Sequence, residues 1–408
     1  MIRFLAALLF TLAPFTAQAA ETIHYDVRAT IGADGMLDAD VRITLPEAAA
    51  GTGKAFLLGR RFVLVSGGFG RNVRVETVAA ETPVKALNRI TLSYPAGKRT
   101  LRFRYRGPLT PAEADGVPPI RPEGVELFID HMWLPFGADI QTMFDVDARI
   151  DGLAGDLVVV AQGEVRRTPT GVVIHRPQLD VDLPLVAMRG LHKAAGPGVE
   201  YYATDLTTPV SQLYQRHALA ASAYLAKWFD PLPDPIRMVA VSRERRLGYS
   251  RTAYTVVNDS GRPEGPLVEA GTARHVAHEF AHAWWRSASP LTDDFWLVES
   301  TAEYVAIRYI DAMMGPDMAK QLLDAKRAEA AKAGPVMGHG RPNRVQLYQK
   351  GPLLLVDLEQ RIGRDKMDAL LLEVSRTTPN TTGQFLELLT RIAGKDAAHD
   401  FDTALHAG

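Results

Sequence analysis

The hydrophobic period of this chain changes once, and that change limits what it can fold into. Ile23, Tyr25, Val27, Ala29 and Ile31 alternate with polar residues; Gly-Ala-Asp-Gly follows at 32–35; then Leu37, Ala39, Val41, Ile43 and Leu45 alternate again. Period two on both sides of a glycine-containing turn predicts a β-hairpin. The pattern returns at Ile90, Leu92 and Tyr94 and at Leu101, Phe103 and Tyr105, with further strands expected at 144–150, 157–165 and 171–176. Near residue 205 the apolar spacing becomes helical. Helices are expected at 209–229, 271–287, 293–314, 352–363, 365–376 and 382–393, with a strand at 236–241 and breaks at Gly315, Gly363, Pro379 and Gly394. The expected fold is therefore multidomain α and β. An N-terminal antiparallel all-β domain over residues 20–200 precedes an α+β, mostly helical domain over residues 201–408.

Composition narrows the partners. The chain is 47% hydrophobic with a net charge of −1, which excludes disorder and argues against nucleic acid as a bulk electrostatic partner. Arg243, Arg245 and Arg246 flank Glu244 and read as a solvated surface. The N-terminus carries Arg3, an apolar run over residues 4–15 and Ala17-Gln18-Ala19, a signal-peptide pattern over residues 1–19 with cleavage before Ala20. The apolar run is short for a membrane span and no later segment is long enough, so no stable membrane insertion is expected. The expected product is exported, periplasmic or secreted. With no cysteine, it has neither disulfides nor a lipid-attachment thiol.

The chemistry concentrates in Thr272–Arg286, which reads TARHVAHEFAHAWWR. His278-Glu279-Phe280-Ala281-His282 has the form H-E-x-x-H. On a helix, positions i and i+4 share a face, so both imidazoles can reach one metal ion. Glu279 is one residue further round, where its carboxylate can act as a general base on a water rather than as a ligand. His275 lies on the same face and is a rival ligand; the preferred reading makes it a packed helix residue. A catalytic zinc needs a third protein ligand and an open position. The next expected helix offers Glu299, seventeen residues after His282, and Glu303 one turn later. One of the two can bind metal while the other holds the outer nitrogen of a ligating histidine. Phe295, Trp296, Leu297 and Val298 mark that helix as buried.

At these residues the chain resembles the aminopeptidase N family of zinc metallopeptidases, whose catalytic domain is thermolysin-like. The family follows H-E-x-x-H with a helix bearing W-L-N-E-G-F-A; here the segment is Trp296-Leu297-Val298-Glu299-Ser300-Thr301-Ala302. The resemblance implies one Zn2+ per chain on His278, His282 and Glu299, and a peptide substrate. Sixteen residues separate His282 from Glu299, two fewer than is usual in the family, which implies a shortened loop. Glu303 falls where thermolysin-like enzymes keep an acid that orients a histidine ligand. Tyr348-Gln349-Lys350-Gly351 is similar to the family's Y-x-K-G segment and implies that Tyr348 hydrogen-bonds the oxyanion. Weaker echoes occur at 133–136, 158–165 and 394–405. The resemblance is to a short form, without the family's large C-terminal helical domain.

One landmark departs from the pattern. The family carries G-x-M-E-N on a strand before the metal helix, and its glutamate binds the substrate's α-amine. The nearest segment here is Gly248-Tyr249-Ser250-Arg251-Thr252, with a cation in the acid's place. Like charge disfavours a substrate ammonium there. Arg251 is either a ligand for a substrate carboxylate or half of a structural ion pair. Arg274, His339 and Arg344 are read as surface residues. The expected activity is zinc-dependent peptide-bond hydrolysis with altered or absent amine recognition, exo- or endopeptidase. The alternatives are a non-catalytic binding protein on the same architecture and a hydrolase of a non-peptide bond.

Overall fold

The computed structural model describes residues 22–46, 52–65, 69, 73–79, 87–94, 97, 99–111, 116–140, 142–243, 248–259, 265–285 and 288–408. The signal-peptide segment and Glu244 lie outside these residues.

The first hairpin forms as its alternation requires. Ile23–Ile31 pairs antiparallel with Met36–Thr44, with Ala29 opposite Ala39. Tyr25, Val27, Ala29 and Ile31 are all buried, so period two maps onto one buried face. The hairpin sits inside a seven-stranded sheet, between Phe144–Asp151 and Thr100–Pro108. A four-stranded sheet built around Thr52–Gly59 and Leu87–Ser93 shares its core, where Phe56 and Phe103 meet edge to face at 5.0 Å. The sheet is not wholly antiparallel as expected. Ile23–Ile31 runs parallel to Phe144–Asp151, which the more than one hundred intervening residues permit by providing the long crossover that a parallel pair needs. The single strand expected at 157–165 is two strands, Val158–Ala161 and Glu164–Arg167, which diverge into different sheets across Gly163. Gly163 has φ +77°, and a Cβ there would lie 2.3 Å from the His175 carbonyl oxygen, so only glycine makes this turn.

A five-stranded sheet opens the second half, in the order His192–Gly196, Val199–Ala203, Ile236–Val241, Tyr254–Asn258, Tyr249–Arg251. Its first strand precedes the boundary expected at residue 200. Tyr254 and Val256 on one face meet Val160, Val186 and Met188 of a third β-domain sheet. The other face packs on helices.

Eight helices are described: α1 (Pro209–Leu225), α2 (Gly265–Ala281), α3 (Trp296–Met314), α4 (Pro316–Ala330), α5 (Gly351–Ile362), α6 (Arg364–Thr377), α7 (Thr382–Ala393) and α8 (Lys395–His406). Most of α3 is buried, including Trp296, Tyr304, Val305 and Tyr309, as expected of a helix apolar on nearly every side. It packs on α2, α4 and α5 and forms the spine of this half. A π-helical turn, Gln346–Lys350, leads directly into α5. Helices α4 and α8 were not expected as helices. Charged residues are dense in both and mask a narrow apolar stripe: Met318, Ala319, Leu322 and Leu323 on α4, and Ala398, Phe401 and Leu405 on α8, pack into the helical core. No described helix is long and apolar enough to cross a membrane.

Candidate metal centre

Helix α2 has an alanine-rich sequence, and it buries Val276, Ala277, Phe280 and Ala281 in the helical core. Burying Phe280 alone is worth about 2–3 kcal/mol, so this face is strongly fixed. The α-helix ends at Ala281, earlier than expected, and tightens: the amides of Ala283 and Trp284 donate to Phe280 and Ala281, three residues back. His282 therefore sits on the tightened turn rather than in the α-helix. It remains beside His278, with the two Nε2 atoms 3.2 Å apart.

Helix α3 brings Glu299 to the same point. Its Oε2 lies 3.3 Å from His278 Nε2 and 3.8 Å from His282 Nε2. Among the described residues, these three form a group whose ligand atoms converge, all buried. Zinc bonds of about 2.0–2.1 Å in tetrahedral geometry place donors ~3.3–3.4 Å apart. The observed separations bracket that value, and two imidazoles with one carboxylate are a zinc-type donor set. The residues fit the ion.

Glu303, one turn along α3 and fully buried, sits behind the histidines. Its Oε2 is 3.0 Å from His278 Nδ1, an ionic contact out of line for a hydrogen bond. Arg274 Nη1 donates to both Glu303 oxygens at 2.6 and 2.7 Å, and Lys326 Nζ donates to Oε1 at 2.5 Å. Burial opposes ionisation of Glu303, but Arg274, His278 and Lys326 hold it well below the usual carboxylate range. Burial likewise opposes a charge on His278, yet Glu299 and Glu303 outweigh it and raise the ring to about 10. Glu299, also opposed by burial, is brought to about 2 by His282, His278 and Tyr348. Burial lowers His282, outweighing the opposite pull of Glu299.

Glu279 is nearly buried, and its Oε1 lies 3.4 Å from His275 Nδ1. His275 is thus the neighbour of the H-E-x-x-H carboxylate and does not join the ligand group. Tyr348 reaches the centre from the π-helical turn, donating to Glu299 Oε2 at 2.7 Å, with its ring 5.6 Å from that of His278. Burial and Glu299 push its phenol above the ordinary value, so it stays a donor. Gly351 explains the glycine of the Y-x-K-G segment. A Cβ there would fall 2.1 Å from Ser300 Oγ, so glycine lets the turn approach α3 beside Glu299.

The 248–252 segment also runs alongside α2. A Cβ on Gly248 would meet the Val256 carbonyl oxygen at 2.9 Å and His275 Nε2 at 3.3 Å. Tyr249–Arg251 is the edge strand of its sheet. Arg251 is engaged elsewhere: its Nε donates to Asp182 Oδ2 at 2.8 Å and its Nη1 to the Ser250 carbonyl at 2.6 Å. Asp182 belongs to the β domain and is fully buried. A second pair crosses the same boundary, where Arg243 and Arg121 both hold the buried carboxylate of Glu126. A cleft lined by Gln162, Arg176, Asp180, Arg237 and Thr252 lies apart on the domain boundary and includes no residue of the centre.

No protein-family model and no curated protein matches the sequence. Solved structures do. An M1 zinc metallopeptidase from Deinococcus radiodurans superposes with a TM-score of 0.68 at 16% identity, covering 94% of each chain. Native leukotriene A4 hydrolase from Saccharomyces cerevisiae gives 0.67 at 14% identity, over 95% of this chain and 68% of that one. An aminopeptidase N family protein from Idiomarina loihiensis gives 0.59 at 13% identity, over 95% and 76%. The chain has the two-domain fold of the M1 zinc metallopeptidases. The M1 fold accounts for the β domain, the five-stranded sheet and the helical half together, since the match runs through nearly the whole chain.

Against that M1 frame, two residues of the centre escaped the sequence reading. Arg274 is no simple surface residue, because it neutralises Glu303. Its signal was its position one turn before His278 on the same helix face. Lys326 gave no signal, since a lysine in a polar helix is unremarkable until the helix is folded. Arg344 is exposed, with its guanidinium 5.2 Å from the Tyr348 ring centre.

Proposed function

We propose that this protein is a zinc-dependent peptidase whose recognition of the substrate amine is altered or lost. The observation that carries the reading is the convergence of His278, His282 and Glu299, with the Tyr348 hydroxyl on the same Glu299 oxygen. His278, His282 and Glu299 would hold the ion. Zinc in such a site supplies Lewis acidity and lowers the pKa of a water it holds. Glu279 accepts the proton of the attacking water and returns it to the leaving amine nitrogen. Tyr348 stays protonated and donates to the oxyanion that develops on the scissile carbonyl. Glu303 orients His278 and keeps its Nε2 directed at the ion.

A peptide substrate is supported by the neighbouring fold, since the Deinococcus radiodurans M1 zinc metallopeptidase has been captured with a Tyr-Ser-Ala substrate. Altered amine recognition is supported by Arg251, which stands in the motif's acidic place and pairs with Asp182. Two other buried acids at that boundary are also engaged: Glu126 has two arginine partners, and Asp180 accepts from Gln162 Nε2 and the Thr252 amide. A substrate ammonium therefore gains little there, and peptides with blocked N-termini should be accepted. Residues 1–19 support export to the periplasm or the medium, with a mature chain starting near Ala20. The reading is tested by comparing cleavage of matched free and acetylated peptides by the zinc-loaded protein. Removal of single N-terminal residues from free peptides alone would return it to conventional aminopeptidase specificity.

A further inference from the structure

We infer that Lys326 is a positioning residue that ties Glu303 to the backbone turn carrying Tyr348. This inference rests on the peptidase reading above. Lys326 and Ala319 are the buried residues of α4, on the face where Met318, Leu322 and Leu323 also pack against the helical core. Burying an ammonium and its four-carbon stem is costly unless every donor finds an acceptor. Here each of the three does. Nζ donates to Glu303 Oε1 at 2.5 Å, to the Tyr348 carbonyl oxygen at 2.7 Å and to Gln349 Oε1 at 3.3 Å. One amine thus grips the carboxylate behind His278 and two consecutive residues of the Tyr348 turn.

That turn needs external support. Gln346–Lys350 is π-helical, a winding seldom stable alone and usually confined to functional sites. Two neighbouring carbonyls of the turn are fixed from outside. Ser300, next to Glu299, donates to the Leu347 carbonyl oxygen at 2.8 Å. Lys326 holds the Tyr348 carbonyl. The phenol emerges from between these two fixed points, and its hydroxyl reaches Glu299 Oε2 at 2.7 Å. Arg274 also covers both oxygens of Glu303, so the carboxylate keeps a cation without Lys326. Among the side-chain hydrogen bonds of the described residues, Lys326 is the partner of the Tyr348 carbonyl. Lys326 therefore acts on the reaction through Tyr348 more than through the metal ligands.

The test uses zinc-loaded full-length protein and the variants Lys326→Met, Tyr348→Phe and the double variant, with peptide cleavage and amide hydrogen exchange. Lys326→Met should lower kcat roughly 10–100-fold with KM nearly unchanged, the effect of misplacing a transition-state donor by about an ångström. In the Tyr348→Phe background it should cause no further loss of kcat. Exchange should quicken at residues 346–350 and not along α2. Zinc affinity, from chelator competition, should change less than about tenfold, the lower end for loss of an outer-shell partner. Losses that multiply in the double variant, or unchanged exchange at 346–350, would overturn the inference. If Lys326→Met does not fold, Lys326→Gln, which keeps two donors on a shorter stem, is read by the same criteria. A wild-type protein that cleaves no peptide would count against the peptidase reading alone, since the exchange measurement still decides the role of Lys326.

Discussion

Arg251 separates a structural from a substrate-binding account of the segment where the sequence departs from the family it resembles, and Arg251→Met is the perturbation that decides between them. The guanidinium lies 2.8 Å from Asp182, a carboxylate with no exposed surface that also accepts the Ile129 amide at 2.9 Å. Methionine keeps much of the stem and removes the charge, leaving Asp182 buried without its counterion. Breaking a buried pair in this way costs about 3–5 kcal/mol. Because the Arg251 side chain keeps 15% of its exposure, solvent softens the loss and the lower end of that range, about 3 kcal/mol, is expected. At about 2–4 °C per kcal/mol for a unit of this size, the melting temperature should fall by roughly 6–12 °C. The pH dependence has a definite sign. Burial already raises Asp182 above the ordinary carboxylate range, and losing Arg251 raises it further. A carboxyl with a raised folded-state pKa costs stability when ionised, so the deficit relative to wild type is full above that pKa and shrinks on acidification. Thermal melts of both proteins at neutral and mildly acidic pH measure it. Cleavage of peptides with and without acidic residues, on the same samples, measures the alternative. A variant that melts within about a degree of wild type but loses acidic substrates selectively would refute the structural account and make Arg251 a substrate ligand.

Three further outcomes are expected. Glu303→Gln keeps the shape but removes the charge behind His278, and should weaken zinc binding about 10–100-fold; chelator competition measures this, and unchanged affinity would remove Glu303 from the centre. Gly351→Ala drives a methyl to 2.1 Å from Ser300 Oγ, so it should cost about 1–3 kcal/mol and displace Tyr348, visible as a lower melting temperature and a lower kcat. Zinc uptake by metal-free protein should release about one proton and tighten about tenfold per pH unit below the His278 pKa of about 10, because the ligand must be neutral to bind; calorimetry in buffers of different ionisation enthalpy shows the proton, and pH-independent affinity near neutrality would contradict the raised pKa.

The legible parts of this protein are those written in local periodicity or in fixed spacing. Alternation placed the first hairpin because one face of each strand is buried, and it could not reveal that Ile23–Ile31 finds a parallel partner more than a hundred residues away. H-E-x-x-H placed His278 and His282 on one face with Glu279 one residue further round, and the two imidazoles stay together although the α-helix ends at Ala281 and His282 lies on a tightened turn. Assigning Glu299 needed the resemblance at Trp296-Leu297, and the structure brings its oxygen within 3.3 Å of His278 Nε2. What stayed hidden was carried by tertiary contact. Arg251 found Asp182 across the domain boundary, Lys326 reached the centre from a helix whose narrow apolar stripe is masked by charge, and Gly351 is explained only by the hydroxyl of Ser300 against it.

The central claim is that a zinc ion held by His278, His282 and Glu299 and a base at Glu279 hydrolyse peptide bonds. The most direct measurement is metal content and peptide cleavage by the mature wild-type protein and Glu279→Gln, with matched libraries bearing free and acetylated N-termini read by mass spectrometry. The account predicts one zinc per chain in both proteins, cleavage of both libraries by wild type and none by Glu279→Gln. Stoichiometric zinc with equal cleavage by the two proteins, or with no cleavage by wild type, would contradict it.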